Sequence, residues 1–163
     1  MKTVLIVFHS LTGGTRQMAE AACRGASAEP GARVEIRQAQ DARADGLLEA
    51  DGSLFRGPQN LAAMAGRMKD FFDRTYYPAL GRIEGRPYAV LLCAGSDGHN
   101  AVRQIDRIAT GWRLKRIAEP LIVCTHAQTP EAILAPKTIG AEDLERCAQI
   151  GATLAAGLAL GIY

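Results

Sequence analysis

Residues 3–15 of the chain read Thr-Val-Leu-Ile-Val-Phe-His-Ser-Leu-Thr-Gly-Gly-Thr. The apolar run Val4–Phe8 predicts a short buried strand, because it is too short for a stable helix. Hydroxyl residues and two glycines follow, and an amphipathic helix is predicted over about residues 15–28. This strand–turn–helix unit directs backbone N–H groups and hydroxyls to one point at the start of a helix. Such an arrangement favours the binding of a phosphate group.

The absence of several known sequence motifs limits which type of phosphate-binding loop this can be. The chain lacks the Gly-x-x-x-x-Gly-Lys-Ser/Thr motif of triphosphate sites and the Gly-x-Gly-x-x-Gly motif of dinucleotide sites. The loop has no cysteine nucleophile, and no acid ends the first strand. What remains is a loop of neutral donors, Ser10, Leu11, Thr12, Gly13, Gly14 and Thr15. The alternative is a tight turn in which a single Ser or Thr hydroxyl caps the helix.

Composition indicates an ordinary globular protein. The 163 residues are 48% hydrophobic and 22% charged, which predicts a single domain over residues 1–163. The net charge of +2 and the dispersed arginines argue against a nucleic-acid partner. No apolar run is long enough to cross a bilayer, and the start of the chain does not resemble a signal peptide.

The cysteines favour a reducing environment. Cys23, Cys93, Cys124 and Cys147 form no Cys-x-x-Cys pair, which predicts free thiols and a cytoplasmic location. No spacing of His, Cys, Asp and Glu residues indicates a metal site.

Strands and helices alternate along the chain. The predicted strands cover about residues 3–8, 33–37, 52–55, 88–94 and 117–125, with the third strand ending at 56–58. The predicted helices cover about residues 15–28, 44–50, 62–77, 100–114 and 141–160, and residues 127–139 are expected to be a loop. This alternation predicts a three-layer α/β/α fold around a doubly wound, five-stranded parallel sheet of order 2-1-3-4-5. A ligand is then expected beyond the carboxyl ends of strands 1 and 3.

Four segments resemble one family. The neutral loop at residues 10–15 is similar to the FMN phosphate loop of the flavodoxin superfamily. Ala50–Pro58, Met64–Arg74 and Cys147–Ile162 resemble the NAD(P)H-dependent FMN reductases, including quinone oxidoreductases of the tryptophan-repressor-binding-protein type. The resemblance implies a flavodoxin-like fold over nearly the whole chain.

The resemblance also implies how FMN would be held. Loop one, residues 10–15, would bind the phosphate. Loops two and three would border the flavin ring through Pro58, Gln59, Asn60, Leu61, Gly95, Ser96 and Asp97. Loop two departs from the family pattern, because it lacks the aromatic residue that usually lies near position 60 and stacks on the ring. Trp112 and Tyr76 lie elsewhere in the sequence, and Trp112 is expected to serve packing.

The implied activity is that of an FMN-dependent oxidoreductase passing electrons from NAD(P)H to a quinone or similar acceptor. The flavin would carry the chemistry, so no catalytic side chain is expected. Asp97 and His99 could move a proton, although a plain polar turn is the favoured interpretation. Two alternatives stay open: an electron carrier, which the near-neutral charge disfavours, and an interaction protein that binds FMN weakly. The family also implies a homodimer or homotetramer.

Overall fold

The computed structural model describes residues 1–163 and contains seven β-strands and six α-helices. The strands are β1 (Lys2–Phe8), β2 (Ala32–Gln38), β3 (Gly52–Asn60), β4 (Ala63–Met64), β5 (Pro87–Ala94), β6 (Lys115–Arg116) and β7 (Leu121–Cys124). The helices are α1 (Gly14–Ser27), α2 (Ala44–Glu49), α3 (Gly66–Ala79), α4 (His99–Gly111), α5 (Pro130–Leu134) and α6 (Ala141–Ala159). None of these helices combines the length and the apolar character that a membrane span requires.

The main sheet is parallel and runs in the order β2-β1-β3-β5, with β6 and β7 both paired to β5. β6 pairs with the start of β5 at Pro87 and Tyr88, and β7 pairs with its end from Leu91 to Ala94. The two short strands therefore share the fifth position, and the predicted order 2-1-3-4-5 is confirmed. The continuous fifth strand predicted over 117–125 is wrong. Pro120 lies in the gap and has no N–H to donate to a ladder.

Two apolar layers cover the sheet, as the three-layer prediction requires. One face packs aromatic side chains, with Phe55 of β3 against Phe72 of α3 and Trp112. The other face packs small and aliphatic side chains of α1 and α6 on β1 and β3. Trp112 is fully buried, and its Nε1 donates to the carbonyl of Tyr76 at 2.9 Å, which confirms its packing role.

The structure corrects three local predictions near the carboxyl ends of the strands. β3 does not end at 56–58 but continues to Asn60 and turns into β4. The helix predicted from residue 62 therefore begins at Gly66, because pairing in this hairpin outweighs the helix preference of two alanines. The predicted loop 127–139 contains α5, where Thr129 Oγ1 accepts from the N–H of Ala132 at 3.2 Å and Pro130 fills the first turn.

A fully buried arginine lies between the sheet and α1. Arg56 Nη1 donates to the carbonyl of Met18 at 2.6 Å, whereas Nε and Nη2 have no hydrogen-bond partner. Burial lowers the pKa of Arg56 to about 10, and the Cys147 and Cys23 thiols oppose this only in part. No carboxylate pairs with this guanidinium, so its desolvation is largely uncompensated.

We expect Arg56→Met to raise the free energy of unfolding by about 1–4 kcal/mol, because an apolar side chain of similar volume removes the desolvation cost. Urea denaturation followed by circular dichroism measures the change. Arg56→Lys is the matched control, since it keeps a buried charge and should bring no stabilisation. A less stable Arg56→Met variant would show that the guanidinium has a favourable partner.

Candidate functional site

A cavity of about 450 Å³ opens at the carboxyl ends of β1, β3, β5 and β7. Its volume is within the range of small-molecule sites. The residues that line it are Leu11, Thr12, Pro58, Gln59, Asn60, Leu61, Ala62, Cys93, Ala94, Gly95, Ser96, Thr125, Ala127, Gln128, Ile133 and Lys137. Three segments that are far apart in the sequence, the predicted loops one to three, therefore meet at one place.

Loop one leads into α1 without a side-chain cap. The residue before the helix is Gly13, whose φ of 93° is the left-handed conformation that glycine adopts most easily. Ser10 Oγ accepts the N–H of Gly13 at 3.1 Å and so closes the loop on itself. No side chain caps α1, and its first turn contains no acid. The capping alternative is therefore wrong, and the positive end of the helix dipole is free to face an anion.

Only two of the six residues predicted for loop one line the cavity. Leu11 and Thr12 line the cavity, whereas Ser10, Gly13, Gly14 and Thr15 form the loop behind them. Thr15 is buried. A Cβ on Gly14 would lie 3.1 Å from Cys93 Sγ and 3.4 Å from Ile139 Cδ1, so the loop packs closely against its neighbours here.

A segment near the C-terminal helix holds loop one in place. The N–H of Lys137 donates to the carbonyl of Thr12 at 2.9 Å. Gln17 Nε2 donates to the carbonyl of Lys137 at 2.7 Å, and Gln17 Oε1 accepts from the N–H of Ile139 at 2.9 Å. More than 100 residues of sequence separate these partners, and no local pattern could have indicated the contact.

Loop two is a two-residue hairpin between β3 and β4. Leu61 and Ala62 have φ of 49° and 62°, the pair of positive values that defines a type I′ turn. Such turns favour Asn-Gly, so Leu and Ala here carry backbone strain. The Leu61 side chain is fully exposed at the mouth of the cavity. The apolar Leu61 therefore lies next to position 60, near which the family pattern has an aromatic residue and this sequence has none.

Side chains tie this hairpin to α4. Asn100 Nδ2 donates to the carbonyl of Ala62 at 2.6 Å, and Gln104 Oε1 accepts from the N–H of Met64 at 2.8 Å. Gln59 Oε1 accepts from the N–H of Ala101 in the first turn of α4 at 3.1 Å. The side-chain amide oxygen of Gln59 is thus bonded to α4, although the residue lines the cavity as predicted.

We expect Ala62→Gly to stabilise the protein by about 0.5–1 kcal/mol, because glycine adopts the left-handed conformation without the Cβ penalty. Thermal denaturation measures the effect. Ala63→Gly is the control: Ala63 lies in β4 next to the turn and has no positive φ, so glycine there should destabilise. Equal effects of the two substitutions would contradict the strain at residue 62.

Loop three contributes Gly95 and Ser96 to the cavity, but Asp97 serves the turn. Asp97 Oδ1 accepts the N–H groups of His99 at 3.0 Å and Gly98 at 2.7 Å, and these bonds lower the pKa of the Asp97 carboxyl. The His99 side chain is 81% exposed and does not line the cavity. The geometry thus agrees with the polar-turn interpretation of this pair.

Sequence reasoning missed one wall of the cavity, formed by Thr125, Ala127, Gln128, Ile133 and Lys137. These residues follow β7 or belong to α5 and the segment after it. Lys137 is the only charged residue in the lining. Burial raises the pKa of the Cys93 thiol, and the nearby Lys137 charge opposes this in part. Fold topology offered a signal for this wall, because β7 ends at the same edge as β5.

No family model matches the sequence. A flavodoxin from Aquifex aeolicus is 31% identical to it over 98 residues, which cover 60% of this chain and 53% of that protein. An NAD(P)H dehydrogenase (quinone) from Acidithiobacillus ferrooxidans is 33% identical over 95 residues, with coverage of 46% of this chain and 48% of that protein. The chain thus spans about half the length of these curated relatives.

A solved flavodoxin from the domain Archaea superposes with a TM-score of 0.77 at 20% identity, covering 96% of this chain and 98% of that one. At this identity the likeness concerns the fold. Together with the curated relatives, it confirms the flavodoxin-like fold and the resemblance to the flavodoxin-like superfamily that residues 10–15, 50–58, 64–74 and 147–162 indicated.

Proposed function

We propose that this chain is an FMN-binding oxidoreductase that passes electrons from NAD(P)H to a quinone or similar small acceptor. The observation that carries the proposal is one cavity in which three separate features meet. These are the uncapped start of α1, the β3–β4 hairpin and the Gly95–Ser96 turn. A relative named NAD(P)H dehydrogenase (quinone) supports this activity, and the relative named flavodoxin supports the binding of a flavin.

The residues present fit FMN. A phosphate ester suits loop one, where helix N–H groups and hydroxyls gather without any acid. A planar ring with apolar faces suits the space between the hairpin and loop three, because Gly95 and Ala94 leave room and Leu11 and Leu61 offer apolar cover. When bound, FMN would supply the hydride and electron transfer.

The chain's own residues would position the flavin and limit water access. The hairpin would lie along the ring, held by its bonds to Asn100 and Gln104. Loop one, held through the Gly13 carbonyl by Gln17 and through the Thr12 carbonyl by the Lys137 N–H, would fix the phosphate. The fixed loops would keep the ring in one orientation for donor and acceptor, which is the usual contribution of protein to flavin chemistry.

Absorbance spectroscopy tests the cofactor. Protein incubated with FMN and then desalted should show bands near ~370 and ~450 nm, the absorption of a bound flavin. Oxidation of NADH or NADPH with benzoquinone as acceptor then tests the activity, with free FMN at equal concentration as the blank. A colourless protein would contradict flavin binding and leave the interaction-protein interpretation.

The relative named flavodoxin favours a second candidate, an electron carrier without a substrate of its own. Loaded protein would then fail to oxidise NAD(P)H, while chemically reduced protein would still reduce cytochrome c. The net charge of +2 disfavours this candidate, because carriers of this type are usually acidic. A homodimer or homotetramer in the cytoplasm belongs to the proposal as well, and size-exclusion chromatography with light scattering tests the assembly.

A further inference from the structure

We propose that Lys137 provides a cationic contact to the phosphate of the bound flavin, a contact that the neutral loop one cannot provide. The inference rests on the proposed function and assigns one residue of that site a role in ligand choice. It predicts that the site distinguishes FMN from riboflavin, the same flavin without the phosphate.

A backbone hydrogen bond holds Lys137 against loop one. Its N–H donates to the carbonyl of Thr12 at 2.9 Å, and a Cβ on Gly14 would lie 3.4 Å from Lys137 Cβ. The side chain therefore starts beside the first turn of α1 and lines the cavity together with Thr12. A lysine stem that starts there can bring its ammonium group to an anion at the helix start.

The ammonium group now binds only neutral oxygens. Lys137 Nζ donates to the carbonyls of Ala132, Ile133 and Ala135 at 2.7, 2.8 and 2.6 Å. These carbonyls belong to α5 and the residue after it, and no helix residue of α5 is buried. Water can therefore take the place of the ammonium group. A dianionic phosphate is a stronger partner for it, since donor and acceptor then both carry charge and attract each other as opposite ions.

No other cation lies in the same position. Arg16 belongs to the first turn of α1, but its guanidinium lies over the Phe8 ring at 5.5 Å from the centroid and does not line the cavity. Lys137 forms no ion pair, so no carboxylate has to be released before it can turn to a phosphate. Gln17 keeps the Lys137 backbone in place meanwhile.

Binding titrations followed by the fluorescence of the flavin, at two salt concentrations and with FMN and riboflavin as ligands, test the proposal. Lys137→Met should weaken FMN binding about 10- to 100-fold, the worth of one hydrogen bond to a charged group. Riboflavin binding should stay within about twofold, and the salt dependence of FMN binding should decrease. Lys137→Arg should retain most of the affinity for FMN.

Lys115→Met is the matched control. Lys115 is exposed and pairs with the start of β5, at the opposite end of the strand from the cavity, so its loss should change neither affinity. Equal weakening of FMN and riboflavin in Lys137→Met would overturn the inference, because it would show that Lys137 only supports α5. Unchanged FMN binding would overturn it too. A wild-type protein that binds neither flavin would instead overturn the proposed function, and this inference with it.

Discussion

Alanine at Gly25 or Gly151 is expected to destabilise the protein by about 3 kcal/mol, the upper part of the range for overpacked sites. A Cβ on Gly25 would overlap the carbonyl oxygen of Ala148, and a Cβ on Gly151 would overlap that of Ala22. In both cases the obstacle is backbone of the facing helix, which cannot turn away as a side chain can. α1 and α6 would have to separate, and the apolar layer beneath them would loosen.

Guanidinium denaturation and a thermal scan measure this effect. A loss of 3 kcal/mol corresponds to a fall in Tm of roughly 6–12 °C for a chain of this size. Gly46→Ala is the control, because Gly46 lies in α2 with nothing near its would-be Cβ, and alanine there should stabilise by up to about 1 kcal/mol. Unchanged stability of Gly25→Ala and Gly151→Ala would contradict the close approach of α1 and α6.

Thr12→Asp is expected to weaken FMN binding by about 100-fold or more, since like charges brought together cost several kcal/mol. Thr12 lines the cavity at the start of α1, where the proposal places the phosphate. The side chain is half-buried, and the bond to Lys137 uses the Thr12 backbone, so folding should tolerate the change.

Flavin titration separates the charge effect from a shape effect. Thr12→Asn has nearly the same shape as Thr12→Asp but no charge, so it should bind FMN within a few-fold of wild type. Riboflavin, which lacks the phosphate, should bind both variants nearly equally well. A similar loss of FMN and riboflavin in Thr12→Asp would show that the phosphate does not lie at loop one.

The local sequence was sufficient for the framework of the protein. Val4–Phe8 is an uninterrupted apolar run and forms a central strand, and residues 10–15 form the turn into α1. Alternation of strands and helices predicted the sheet order, because parallel crossovers of one hand permit few arrangements. Eight of the predicted site residues line the cavity: Leu11, Thr12, Pro58, Gln59, Asn60, Leu61, Gly95 and Ser96.

Local patterns failed where distant partners decide the conformation. The alanines at 62 and 63 favour a helix, but bonds from Asn100 and pairing with β3 make them part of a hairpin. The fifth strand divides in the region of Pro120, which has no N–H for the ladder, and each of its two parts pairs only with β5.

The sequence by itself thus determined the strand–turn–helix unit at residues 3–28 and the sheet order, since both depend on short-range pattern and chain connectivity. Only the tertiary structure decided the far wall of the cavity. Lys137 reaches Thr12 and Gln17 through a fold that brings together residues more than 100 positions apart. Hydrogen bonds between such segments depend on packing geometry, and a one-dimensional pattern does not contain it.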